Sequence, residues 1–195
     1  MRELSECAIA LRMTRPSPLY DAVVLGGGAA GLFYAGQAGA LGLSVLVLDH
    51  SQKPAEKIRI SGGGRCNFTN LGTRAANFLS ANPHFAKSAL ARYTPTDFLA
   101  LMERHGLSWH EKTLGQLFCD QKSGAIITML LDEMRNVGAV LKLGVEISDV
   151  VKNDDLFELT TSDGRVQARR LVVATGGLSI PKIGATGFAY DLARQ

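Results

Sequence analysis

Continuous apolar runs, glycine breaks and a late change to alternating positions divide this chain into three regions. Ala22-Val23-Val24-Leu25 and Val45-Leu46-Val47-Leu48 are short runs without polar interruption, the pattern of parallel strands buried on both faces. Between them residues 32–41 are rich in helix formers, with Gly42 placed to end a helix. Gly36 and Gly39 inside this stretch are small enough for close packing against a sheet. Residues 96–105 have helical periodicity after Pro95 and stop at Gly106. Residues 122–137 carry Ile126, Ile127, Leu130, Leu131 and Met134 on one side and predict a further amphipathic helix. Beyond them the period shortens. Residues 140–143 predict a strand, and 147–151, 157–161 and 166–169 a β-meander with turns at Asn153-Asp154-Asp155 and Asp163-Gly164. Leu171-Val172-Val173-Ala174 is again fully apolar and ends at Thr175-Gly176-Gly177.

Strand, helix, strand, then a meander, predicts an α/β domain with a parallel sheet and an antiparallel attachment. Two stretches fall outside this scheme. Residues 51–73 are polar and glycine-rich, too long and irregular for an ordinary connection, and such loops are usually functional. Residues 108–118 read as extended and turn-rich. The first eighteen residues form no signal-peptide pattern, because Glu3 and Glu6 interrupt a short apolar piece, and they are expected to be a loose tail. Residues 19–195 then form one domain.

Composition narrows the class. The chain has 195 residues, 46% hydrophobic and 20% charged, which suits one substantial core. Its 21 basic residues against 18 acidic ones are scattered, with no stripe interleaved with aromatics, so the expectation is no nucleic-acid partner and no membrane partner. Cys7, Cys66 and Cys119 are few and widely spaced, which points to a reducing, cytoplasmic setting rather than a disulfide scaffold. His50, His84, His105 and His110 share no ligand spacing with them, and no metal site is expected.

The candidate chemistry starts at Gly26-Gly27-Gly28-Ala29-Ala30-Gly31, directly after the first apolar run. In a G-x-G-x-x-G turn the first glycine allows the strand-to-helix reversal. The second lets backbone approach a pyrophosphate, and the third lets helix close on strand. Free N–H groups and the positive dipole end of the helix favour the anion. Asp49, at the end of the second run, is placed to accept ribose hydroxyls or else to cap a loop. At this point either NAD or FAD fits. Ser61-Gly62-Gly63-Gly64-Arg65-Cys66-Asn67-Phe68-Thr69-Asn70 adds consecutive small residues able to expose backbone N–H groups, with Arg65 supplying a planar donor fork; its other reading is a plain surface loop. Cys66 has no Cys-x-x-Cys partner, so it reads as a small packed residue rather than a disulfide-exchange thiol.

Those two motifs, followed by Ala174-Thr175-Gly176-Gly177-Leu178-Ser179 and Ile180-Pro181-Lys182-Ile183-Gly184-Ala185-Thr186-Gly187, resemble the YhiN/BaiN-like family of FAD-dependent oxidoreductases, from about Asp21 to the last residue. The resemblance implies a glutathione-reductase-type FAD-binding Rossmann-like domain. It implies that Gly26, Gly28, Ala29, Ala30 and Gly31 hold the pyrophosphate and Asp49 the adenosine ribose. Lys57, Ser61, Gly62, Gly63, Arg65, Cys66 and Asn67 would line the pyrophosphate, ribityl chain and flavin ring. The Ile147 backbone would meet the adenine, and Thr175 and Gly176 would approach the cofactor. The implied reaction is hydride transfer between NAD(P)H and an organic acceptor; no catalytic acid or base is assigned, the substrate is unassigned, and homo-oligomerisation is compatible. Two departures stand out. Gly115-Gln116-Leu117-Phe118-Cys119 occupies the place of a Gly-Arg-x-Phe-Pro pattern, and relatives are about twice as long. The chain ends as though inside a helix, reads as a fragment or truncated gene product, and lacks an inserted substrate domain and return segment. The alternatives are a non-catalytic half-domain or an NAD-binding dehydrogenase domain.

Overall fold

The computed structural model describes residues 17–178 and 187–194. Most of the expected tail and most of the 180–187 pattern lie outside them. Leu19–Tyr20 (β1) leads into Ala22–Leu25 (β2), Ala29–Ala40 (α1) and Val45–Asp49 (β3). Glu56–Ile60 (α2), a 3₁₀ turn at Ser61–Gly64 and Asn67–Asn70 (β4) follow. Then come Lys87–Arg92 (α3), Pro95–Arg104 (α4), Trp109–Glu111 (β5), Gln116–Cys119 (β6) and Lys122–Asn136 (α5). The last described elements are Val140–Leu143 (β7), Ile147–Asn153 (β8), Leu156–Thr161 (β9), Gly164–Ala168 (β10), Leu171–Val173 (β11) and Phe188–Leu192 (α6).

The apolar runs pair as parallel strands in the order β11-β2-β3-β7, with Ala22 opposite Val45 and Leu46 opposite Val140. Because side chains alternate along a strand, each run serves two cores. Ala22, Val24, Val45 and Val47 face Leu32 and Ala35 of α1 and Ile126, Met129 and Met134 of α5. Val23, Leu25, Leu46 and Leu48 face Leu159, Val166 and Ala168 of the antiparallel sheet β1-β10-β9-β8. The result is helices, parallel sheet and meander in three layers. The meander is wider than expected, since β1 adds a parallel edge (Leu19 opposite Gln167) and the Gln167 N–H donates to the Pro18 carbonyl at 3.0 Å.

Gly36 and Gly39 correct one expectation. They face α5, not the sheet: a Cβ at Gly39 would overlap the Val137 side chain, and one at Gly36 would stand 3.4 Å from Glu133 Cβ. The small residues therefore set the α1–α5 approach. A second correction concerns residues 51–73, which are not structureless. They hold α2, the 3₁₀ turn and β4, and β4 joins a third sheet in the order β4-β6-β5, with Asn67 opposite Phe118. No helix of the described residues is long and apolar enough to cross a membrane.

Candidate functional site

The glycine turn sits at the carboxyl ends of β2, β3 and β11, where strand order reverses and open α/β sheets place their ligands. Gly26 adopts φ +114°, and a Cβ there would lie 2.5 Å from the Ala174 carbonyl oxygen, so the turn after β2 and the turn after β11 are in direct contact. Gly31 lies against the Gly26 carbonyl at a distance that excludes any side chain. Gly28 differs from both: a Cβ there would meet nothing within 4 Å. Its backbone is the extended N-cap of α1, with no side-chain cap and no acidic residue in the first turn. The first N–H groups of a helix lack intrahelical partners, so this end is an array of backbone donors.

Gly27, a variable position of the motif, is clamped from both sides. Its N–H donates to Asp49 Oδ2 at 2.6 Å, and its carbonyl accepts the Ala55 N–H at 2.9 Å. Asp49 Oδ1 accepts the Ser51 N–H at 2.8 Å. Asp49 therefore fixes the turn and still borders the cleft with its remaining lone pairs. Lys57 Nζ donates to the Gly177 carbonyl at 2.9 Å and ties α2 to the turn after β11.

These elements enclose a cleft of about 810 Å³. Gly26, Gly28, Ala29, Ala30, Asp49, Lys57, Ile147, Thr175 and Gly176 line it, so the structure brings nine of the expected residues to one surface. A second cleft of about 470 Å³ adjoins it through Ala29, Ala30, Lys57 and Ile58, and takes Ser61, Cys66 and Asn67. Gly31, Gly62, Gly63 and Arg65 line neither cleft. Gly31 is buried packing, whereas Gly62 adopts φ +57° with the Phe118 ring 2.7 Å from where its Cβ would be. Gly63 and Arg65 are exposed on the same turn.

Cys66 is 4% exposed and lies across from Cys119, whose N–H donates to the Arg65 carbonyl at 3.2 Å. Burial, with the Cys119 thiol adding to it, pushes the Cys66 thiol up to about 11, and burial also raises Cys119. Both are free thiols held protonated near neutrality. Sequence reasoning missed their proximity, which only the β4–β6 pairing creates. It also missed Phe33, Tyr93 and Phe98 in the second cleft, and Lys53, Glu56 and Phe188 in the first. Glu56 and Lys53 fall in the segment read as an irregular loop.

The donor array at α1, the open space at Gly28 and the first cleft fit a long cofactor with an anionic middle. A sequence-family comparison decides the membership: the HI0933-like protein Rossmann domain matches residues 20–195. The chain belongs to that family. It is 49% identical over 176 residues to a protein of Escherichia coli (strain K12) named ribosomal RNA dihydrouridine synthase, covering 90% of this chain and 44% of that protein. A protein of the same name from Haemophilus influenzae (strain ATCC 51907 / DSM 11121 / KW20 / Rd) is 50% identical over 177 residues, covering 89% of this chain and 44% of that protein. The HI0933-like chain thus spans less than half the length of these curated relatives. The 3-dehydro-bile acid delta(4,6)-reductase of Clostridium scindens (strain ATCC 35704 / DSM 5676 / VPI 13733 / 19) is 27% identical over 175 residues, 88% of this chain and 42% of that protein. Among solved structures, the 3-ketosteroid-delta4-(5alpha)-dehydrogenase of Rhodococcus jostii RHA1 superposes with TM-score 0.60 at 18% identity, covering 87% of this chain and 48% of that one. The amino acid oxidase NikD superposes with TM-score 0.54 at 17% identity, covering 84% and 52%. At such identities the superpositions establish the fold, a Rossmann-type α/β domain with the expected parallel sheet and antiparallel attachment.

Proposed function

We propose that this chain is the FAD-binding part of a flavin-dependent oxidoreductase that reduces uridine in ribosomal RNA, with NAD(P)H as electron donor. The observation that carries the reading is the near-complete match of this chain, at 49% and 50% identity, to two proteins named for that product. The geometry supports it. The α1 N-terminus with Gly28, Ala29 and Ala30 would receive the pyrophosphate, and Asp49 the adenosine ribose, with the Ile147 backbone beside the adenine. Lys57, Thr175 and Gly176 would border the ribityl chain, and Ser61, Cys66 and Asn67 would face the flavin ring from the second cleft where the two clefts join. Bound FAD would supply reversible two-electron chemistry that the side chains lack. Balanced overall, NAD(P)H gives a hydride and solvent a proton, and these add across the uracil C5–C6 double bond to yield dihydrouridine and NAD(P)⁺.

The protein's share is position. The Asp49 clamp on Gly27 and the Gly31 contact on Gly26 hold the turn in one shape before any ligand arrives, which lowers the ordering cost of binding. The test is direct. Purified protein is expected to be yellow, with flavin absorbance that survives gel filtration and FAD released on denaturation. Supplied with FAD and NADPH, it is then assayed on ribosomal RNA lacking dihydrouridine. A well-folded but colourless protein that FAD does not reconstitute overturns the cofactor reading. A yellow protein without dihydrouridine formation supports the non-catalytic half-domain instead.

A further inference from the structure

The second cleft has walls that a pyrophosphate and ribityl chain do not require. Phe33, Phe68, Tyr93 and Phe98 line it, from α1, β4, the end of α3 and α4. Their rings are fixed against each other: Phe33 meets Tyr93 edge-on at 4.8 Å, and Phe68 stacks on Phe98 at 5.6 Å between centroids. All four remain partly exposed. Ser61 and Asn67 bring polar groups to the same cleft, which continues into the cofactor cleft through the α1 N-terminus and Lys57. Aromatic faces, a few polar groups and about 470 Å³ of space suit a planar heterocycle.

The surroundings add charge. Three cations, Arg65, Lys112 and Lys122, are set around the Ser61–Gly64 turn. Arg65 is on the turn and acts electrostatically on Asp120. Lys112 places Nζ 4.2 Å from the centroid of Phe118, the ring that underlies Gly62. Lys122 opens α5, whose Ser123 hydroxyl donates to the Arg59 carbonyl at 3.0 Å just ahead of the turn. Of the acids nearby, Glu56 is engaged by Arg59 at 3.4 Å and Asp120 by His110 at 2.7 Å. These cations are far apart in the sequence, so no basic stripe announced them.

We infer that the aromatic cleft seats an unstacked pyrimidine base of an RNA strand, and that the cations around the Ser61–Gly64 turn hold the strand's phosphates beside it. The inference rests on the proposed reduction of RNA uridine and names where that substrate enters. An enzyme that works on a base inside folded RNA must draw it out of the stack, and aromatic walls with hydrogen-bonding groups are what receive such a base. The cleft's continuity with the cofactor site puts the base next to the electron carrier, and the cations distinguish a polynucleotide from an uncharged apolar ligand.

The chain carries its own reporter, because Trp109 is its one tryptophan and meets Phe68 edge-on at 6.5 Å. FAD-loaded protein titrated with uridine 5′-monophosphate, and separately with a short oligouridylate, is expected to show a saturable change in Trp109 emission. Tyr93→Ala, Phe98→Ala and the volume-preserving Phe98→Leu should each weaken binding five-fold or more while FAD stays bound. Arg65→Ala with Lys122→Ala should weaken the oligouridylate and flatten its salt dependence, with little change for the mononucleotide. Release of FAD by Phe98→Leu in a folded protein would mean that the flavin ring fills this cleft, and would overturn the inference. So would saturable binding of cholate with none of uridine monophosphate. If FAD is retained and ribosomal uridine reduced, but these variants bind uridylate normally, the inference fails while the proposed function stands. Loss of FAD binding by unmodified protein is the failure of that function itself.

Discussion

Gly31 lies directly on the carbonyl oxygen of Gly26, so close that a Cβ at Gly31 would overlap it. The third glycine of the motif is thus a packing residue and touches neither cleft. Gly31→Ala must push α1 off the end of β2, an overpacking that costs about 1–3 kcal/mol. For a domain of this size the expected fall in Tm is roughly 3–10 °C. Thermal unfolding followed by circular dichroism reads it, and an unchanged Tm would contradict the contact.

Gly28 is the opposite case. Its φ of −81° is open to any residue, and a side chain there enters empty space. Gly28→Leu should therefore leave Tm within about 1 °C, as surface substitutions do, and yet abolish retained flavin by filling the position proposed for the pyrophosphate. Flavin absorbance after gel filtration is the measurement. Normal flavin content in Gly28→Leu would remove the first turn from the cofactor site.

Asp49 joins stability to binding. Both carboxylate oxygens accept backbone N–H groups, from Gly27 and Ser51. Asn has one acceptor oxygen, so Asp49→Asn turns an NH₂ group toward one of those donors and costs about 1–3 kcal/mol. Tm should fall and the affinity for FAD should fall further than for adenosine-free FMN, measured by titration of apoprotein. Equal losses for the two flavins would separate Asp49 from the ribose.

The parallel strands, the three longer helices and the meander were legible because each is announced locally, by an apolar run, a 3.6-residue period or alternation. Thr94 even carries a reciprocal cap with Asp97 ahead of Pro95, its hydroxyl accepting the Asp97 N–H at 3.3 Å. What escaped notice depends on contacts distant in sequence. The α2 helix is only five residues long, starting after Ala55 at φ +57° with no cap, and has no readable signal. Strand β4 exists because β6 lies beside it. The same pairing brings Cys119 to Cys66, and only the folded chain sets Phe33 of α1 against Tyr93 at the end of α3. The glycines 36 and 39 were read as sheet contacts because periodicity identifies a face without naming what covers it.

The helix that carries Phe98 offers a test of how the aromatic cleft is supported. Thr94 accepts from Asp97 and donates its own N–H to Asp97 Oδ2 at 2.7 Å, and the Thr94 hydrogen bonds hold the Asp97 carboxyl below the usual range. Thr94→Ala removes the cap, and a Tm lower by about 2–4 °C is expected. Because the cap favours ionised Asp97, its contribution is present above the ordinary carboxylate range and disappears as pH falls through the lowered folded value. The wild-type and Thr94→Ala melting curves should accordingly draw closer in strong acid, where only the bond from the Asp97 N–H to the hydroxyl remains to separate them; an offset that does not change with pH would assign the whole loss to that bond and the threonine methyl.

Cys66 gives the converse titration. In the unfolded chain its thiol has the ordinary value near 9.0, whereas in the folded protein burial raises it to about 11. Between those pH values the unfolded chain has released this proton and the folded protein still holds it. Fewer protons are bound in the unfolded state, so stability falls as pH rises from about 9 to 11, by up to about 2–3 kcal/mol. Cys66→Ala keeps the backbone and removes the titration, so its stability should decline less steeply over that window, whatever the variant's stability at pH 7. Denaturant titrations of both proteins at pH 7, 9 and 10.5 make the comparison, with Cys119 common to the two. The same protonation predicts that iodoacetamide at pH 8 labels Cys66 and Cys119 only after denaturant is added. Rapid labelling of Cys66 in the native protein, or parallel pH dependence in the two proteins, would show a thiolate where the fold leaves room only for a thiol.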